Sequence, residues 1–133
     1  MTAGYSGTPL AQKLGLKPGQ RAWFSALPDS VRAEMGDVGV DEVAAIEPGL
    51  VVAHVFVTAR LELERLLAEL RGTIAPDGMV WVSWPKKAAK VLTDITETTI
   101  REVALPLGFV DVKVCAVDET WSGLKLVIRK ALR

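Results

Sequence analysis

The chain has 133 residues, 50% of them hydrophobic, with 16 Lys+Arg balancing 16 Asp+Glu. That length suits one domain with a sizeable core, and the zero net charge excludes nucleic-acid or membrane-surface binding driven by a basic excess. One cysteine, Cys115, and one histidine, His54, exclude an intrachain disulfide and a Cys/His zinc set.

The first residues, MTAGYSGTPL, lack the charged start and apolar stretch of a signal peptide. No apolar run approaches the ~20 residues needed to cross a bilayer, so the chain reads as soluble and cytoplasmic. Residues 1–7 form a polar arm, with Tyr5 as a strap over a pocket or simply as part of a fraying end. Thr8-Pro9 reads as a helix start, Thr as the cap and Pro in the first turn. Lys17-Pro18-Gly19 is a turn, and Arg21 to Leu27 (RAWFSAL) is an apolar run of strand length. Pro28-Asp29-Ser30 breaks that run and opens a short helix from Val31 to Met35. Val40 to Ile46 reads as a short strand.

Leu50 to Val57 (LVVAHVFV) is continuous and β-branched, the pattern of a strand covered on both faces. Thr58 to Arg71 is an amphipathic helix with Leu63, Leu66, Leu67 and Leu70 on one face. Met79 to Trp84 is a further buried strand. Asp94 with Glu97 reads as a capping box opening a helix whose inner face is Ile100, Val103, Ala104 and Leu107. Phe109 to Val117 and Trp121 to Lys130, joined by Asp118-Glu119-Thr120, form an antiparallel hairpin. Strand and helix alternate, so the predicted fold is a mostly parallel, doubly wound α/β sheet with a C-terminal antiparallel pair and helices on both faces.

In such sheets a ligand lies beyond the carboxyl ends of the parallel strands. Those exits, at Ser25–Asp29, Thr58–Arg60, Trp84–Lys87 and Asp118–Glu119, share one rim if the strands run as predicted. The candidate binding residues there are Arg60, Trp84, Lys86, Lys87, Asp94, Asp118 and Glu119. Each has a bland alternative. The lysines are solvated cations at a strand end, Asp118 and Glu119 are ordinary turn residues, and Asp94 is a cap. His54, in the middle of a strand, reads as a core histidine satisfied by a hydrogen bond, and Cys115 as a buried, inert thiol. Ser6 and Ser122 precede glycines but lack the strand-turn-helix frame of a hydrolase nucleophile.

LGLKPGQRAWF, then LVVAHVFVTARLELERLLAELRGTIAPDGMVWVSWP, then LPLGFVDVKVCAVDETWSGLKLVIRK resemble pieces of a class I methyltransferase. The likeness covers most of the chain and implies a shortened, methyltransferase-like Rossmann sheet. GYSGTPLAQKLG, WPKKA and KVCAVDETWSGLK also resemble the bacterial family of unknown function numbered 3052, which has no established activity to carry over. The methyltransferase resemblance implies a glycine-rich loop after the first strand and an acid after the second to hold a ribose. Residues 25–35, SALPDSVRAEM, contain no glycine, and Pro28 removes an amide. Glu47 is the acid that follows. The missing glycines, the neutral charge and the lack of a nucleophile–base set together predict a non-catalytic domain without a cofactor. It would bind an anionic or nucleotide-like small molecule or a protein partner, with homo-oligomers allowed. A divergent S-adenosylmethionine-dependent methyltransferase is the alternative.

Overall fold

The computed structural model describes residues 8–133. The arm expected over residues 1–7, with Tyr5 and Ser6, lies outside the described residues. Six strands form one sheet in the order β2-β1-β3-β4-β6-β5. They are β1 (Arg21–Ser25), β2 (Asp41–Glu42), β3 (Val52–Phe56), β4 (Met79–Pro85), β5 (Phe109–Ala116) and β6 (Trp121–Ile128). Strands β2, β1, β3 and β4 are mutually parallel, and the hairpin adds β6 and then β5 antiparallel. The helices are α1 (Leu10–Lys13), α2 (Asp29–Met35), α3 (Arg60–Thr73) and α4 (Glu97–Leu107).

Every residue of β3 and β4 is buried. Side chains alternate across a strand, so the two faces meet two different layers. Ala53, Val55, Val57, Val80, Val82 and Trp84 pack against the leucines of α3 and against Ile100, Val103 and Ala104 of α4. Val52, Phe56, Met79 and Trp81 pack against Leu10, Leu14, Leu16 and Val31 from the α1 and α2 side. The sheet is therefore covered on both faces, as the unbroken apolar runs require. Among the described residues, no helix is long and apolar enough to cross a membrane.

Local details differ from the sequence reading where a competing interaction wins. Pro9, not Thr8, takes the cap position of the one-turn α1, with no side-chain cap bond. Helix α4 is capped by Thr96, whose hydroxyl accepts from the Thr99 amide in a reciprocal capping box, and not by Asp94. Strand β2 spans only Asp41–Glu42, because the chain leaves the sheet after Val43 and turns back so that Val43 and Ile46 pack on the α3–α4 core.

His54 is a core histidine. Its Nε2 lies 2.7 Å from the Ser83 hydroxyl, and its ring stacks on Phe56 with centroids 4.3 Å apart. Burial pushes its pKa down to about 3. The unfolded chain protonates this imidazole near pH 6.5, so its contribution is complete above that value and is lost as pH falls toward 3. From that difference, the wild type should lose about 2 kcal/mol more than a His54→Gln variant between pH 7 and pH 5. Urea unfolding of both proteins at the two pH values measures it, and equal pH slopes would refute the assignment.

Candidate functional site at the carboxyl rim of the sheet

Chain order reverses direction at β1: β2 lies on one side of it and β3 on the other. The crevice between the exits of β1 and β3 is thus the topological switch point, where open α/β sheets place ligands. Ser25 is in register with Val55, so the loop leaving β1 faces the loop leaving β3. That first loop holds Ala26 at φ +56°, a left-handed conformation that L residues other than Gly rarely adopt. Ala26 is exposed, and Pro28 at φ −65° leads straight into α2. Backbone strain of this kind persists only where the surroundings hold it, and it concentrates at ligand sites.

Across the crevice, the β3 exit is closed by the segment after β4. The Thr58 carbonyl accepts the Thr93 hydroxyl at 2.7 Å and the Asp94 amide at 3.3 Å. Asp94 Oδ1 in turn accepts the Arg60 amide at 2.8 Å. Ala59, at the cap position of α3, has no side-chain cap bond, so Asp94 caps this helix from another segment. The loop leaves an open groove of about 400 Å³ lined by Thr58, Ala59, Leu92, Thr93 and Asp94. Beside it, a second cavity of about 340 Å³ is lined by Trp84, Pro85, Lys86, Lys87, Val91, Thr93, Ile95 and Thr96.

The predicted site residues separate into groups. Trp84, Lys86 and Lys87 line one cavity together, and Asp94 lines the adjoining groove. Arg60 is held away from them by Glu64 at 3.1 Å and Glu102 at 2.8 Å, both on the helical face. Asp118 Oδ1 accepts the amides of Thr120 and Trp121, at 2.8 and 2.7 Å, and so shapes the hairpin turn. Glu119 is exposed beside it, in a shallow depression with Ser30, Glu34, Asp118 and Thr120. Cys115 is half-buried on β5, where burial raises its thiol pKa. Among the described residues no cluster of His, Cys, Asp and Glu is arranged to hold a metal ion.

Glu47 does not reach the rim. Its carbonyl accepts the Leu50 amide, and the adjoining Pro48 carbonyl accepts from Arg21, the first residue of β1. Glu47 therefore lies at the amino ends of the strands, opposite the crevice. The acid that ends β2 is Glu42. It is level with Ala22 and is gripped by both terminal guanidinium nitrogens of Arg32 at 2.8 Å. The hydrogen bonds from Arg32 lower the pKa of Glu42. Ala26, Val91 and Leu92 were missed by the sequence reading. The one available signal for Ala26 was a small residue between a strand and a proline.

This strand order, switch point and terminal hairpin define a methyltransferase-like Rossmann fold. A Sulfolobus solfataricus protein assigned to the type 11 methyltransferases matches with a TM-score of 0.68 at 10% identity, over 97% of this chain and 95% of that one. Aeropyrum pernix fibrillarin with natively bound S-adenosyl-L-methionine matches at 0.61 and 12% identity, over 89% and 73%. A Methanococcus jannaschii fibrillarin, a pre-rRNA processing protein, matches at 0.56 and 10% identity, over 92% and 69%. No protein-family model matches the chain, so the narrower resemblance to the family numbered 3052 gains no support. No curated protein matches it either.

These neighbours overturn the expectation of a non-catalytic small-molecule or protein-interaction module without a cofactor. That expectation rested chiefly on the missing glycines, and Ala26 takes up a left-handed conformation after β1 without one. S-adenosylmethionine needs close backbone approach at its methionine end and a partner for its ribose diol. The first need would fall to the backbone of Ser25, Ala26 and Leu27, which leaves β1 level with the end of β3. Glu47 does not fit the second, since it lies at the other end of the sheet.

Proposed function

We propose that this chain binds S-adenosylmethionine at the β1–β3 crevice and acts as a divergent methyltransferase. The observation that carries the reading is the left-handed Ala26 at the switch point, in a fold whose neighbours include an S-adenosylmethionine complex. The backbone of Ser25 to Leu27 would hold the methionine end, and Thr58 would flank it from the β3 exit. When bound, the cofactor supplies an electrophilic methyl group on a sulfonium, and displacement by a nucleophile leaves the neutral thioether. The groove and cavity beyond Thr58, on the β4 side, are where an acceptor would approach.

Thermal unfolding with S-adenosylmethionine, S-adenosylhomocysteine and ATP as a control tests the reading without requiring a substrate. At ~100 times its dissociation constant, a ligand stabilises a fold by about 2.7 kcal/mol, a shift of several degrees for a domain of this size. Both cofactor forms should produce that shift and ATP should not. No shift at millimolar concentrations would end the proposal.

A further inference from the structure

The cavity at the β4 exit has an uneven chemistry that narrows what it can hold. Its floor is apolar and fixed: Trp84 and Ile95 are buried core residues. Its wall is Val91, 43% exposed, and the next residue, Leu92, is 95% exposed over the adjoining groove. Its hydroxyls are already committed. Thr93 Oγ1 donates to the Thr58 carbonyl, and Thr96 Oγ1 accepts the Thr99 amide in the α4 cap. That leaves Lys86 and Lys87 as its free polar side chains. Neither takes part in any ion pair among the described residues. Lys86 is set in place from behind, since its amide donates to the Thr120 carbonyl at 2.7 Å and Pro85 precedes it. The cavity also lies at the start of the 11-residue α4, whose first amides add partial positive charge.

Two unpaired cations over an apolar floor match one kind of molecule: a small, flat or branched apolar body carrying one carboxylate or phosphate. We propose that this cavity takes such an amphipathic anion, and that the anion is the methyl acceptor. The acceptor role rests on the methyltransferase reading; the binding site does not. Thr93 lines both this cavity and the adjoining groove, and Thr58, which also lines the groove, lies at the β3 exit. The apolar body would lie against Trp84 and Val91, and the anionic group would meet Lys86 and Lys87. The volume, about 340 Å³, is at the small end of ligand sites and excludes a folded macromolecular acceptor from the cavity itself.

Titration of the intact protein with 2-naphthoate, 2-naphthyl phosphate and the neutral methyl 2-naphthoate, followed by calorimetry and tryptophan fluorescence, tests the inference. Both anions, or one of them, should bind with one-to-one saturation and roughly tenfold more tightly than the neutral ester. Which of the two binds better separates a carboxylate acceptor from a phosphate one. The double variant Lys86→Gln, Lys87→Gln should lose that advantage while leaving the ester unchanged, and Val91→Trp should weaken all three by filling the cavity. Equal binding of ester and anions, anion binding unaltered by the lysine substitutions, or no saturable binding would each overturn the proposal. S-adenosylhomocysteine is titrated in parallel. Anion binding without it would keep the site and remove the acceptor role, whereas its binding without the anion would overturn this proposal and leave the methyltransferase reading standing.

Discussion

Replacing Trp81 by Ala is expected to cost about 3–5 kcal/mol, a large part of the ~5–15 kcal/mol that holds a domain of this kind together. Trp81 is 1% exposed and sits mid-strand in β4. Its indole nitrogen donates to the Leu14 carbonyl at 2.9 Å, which ties the end of α1 to the sheet. Gly123 in β6 makes room for it: a Cβ there would come within 3.2 Å of the ring. Removing the ring leaves a cavity among strands that cannot collapse onto one another, and it also leaves the Leu14 carbonyl without this donor. Trp81→Phe separates the two losses. It keeps most of the apolar volume and should cost only about 1–3 kcal/mol, chiefly the unsatisfied carbonyl and the smaller ring. Urea denaturation measures both variants, and an Ala variant within about 1 kcal/mol of wild type would refute this account.

The second large effect is expected at Ala26, where backbone and function meet. A β-branched side chain is strongly disfavoured at φ +56°. Ala26→Val should therefore destabilise the fold by about 1–3 kcal/mol and weaken S-adenosylhomocysteine binding by at least roughly tenfold, as the loop shifts to relieve strain. Ala26→Gly should behave oppositely. It removes the ~1–2 kcal/mol cost of a left-handed L residue and adds back a smaller entropic cost in the unfolded chain. It should leave stability equal to wild type or slightly higher, and cofactor affinity equal or better. Calorimetric titration and thermal unfolding of the two variants check this. If valine left binding unchanged, the loop would not be part of the cofactor site.

Much of the fold was legible because burial dictates it. LVVAHVFV and MVWVSW are too apolar to sit anywhere except inside a sheet covered on both faces, and the leucines of α3 recur at helical spacing. What failed was decided by long-range geometry. Asp94 has the residue type and the partner of a cap, yet its carboxylate is used by the start of a different helix, at Arg60. Glu47 follows a plausible strand, but the chain had already left the sheet at Val43 and carried the acid to the wrong end. Lys86 and Lys87 did reach one cavity with Trp84, as the strand-exit rule implies, whereas Arg60 was neutralised by Glu64 and by Glu102 of another helix. Ala26 was hidden for a different reason. Composition reports which residues favour a left-handed turn, and here the fold imposes that turn on a residue that does not.

The position of β6 also sets the order in which the sheet can be completed during synthesis. β6 lies between β4 and β5, and it follows both in the chain. Until residues 121–128 have been made, β4 has β3 on one side and nothing on the other, although every one of its residues is buried in the finished protein. A nascent chain halted before Trp121 therefore carries a seven-residue apolar strand with an open edge, the kind of surface that recruits other strands. In the finished sheet β6 covers that edge along the whole length of β4.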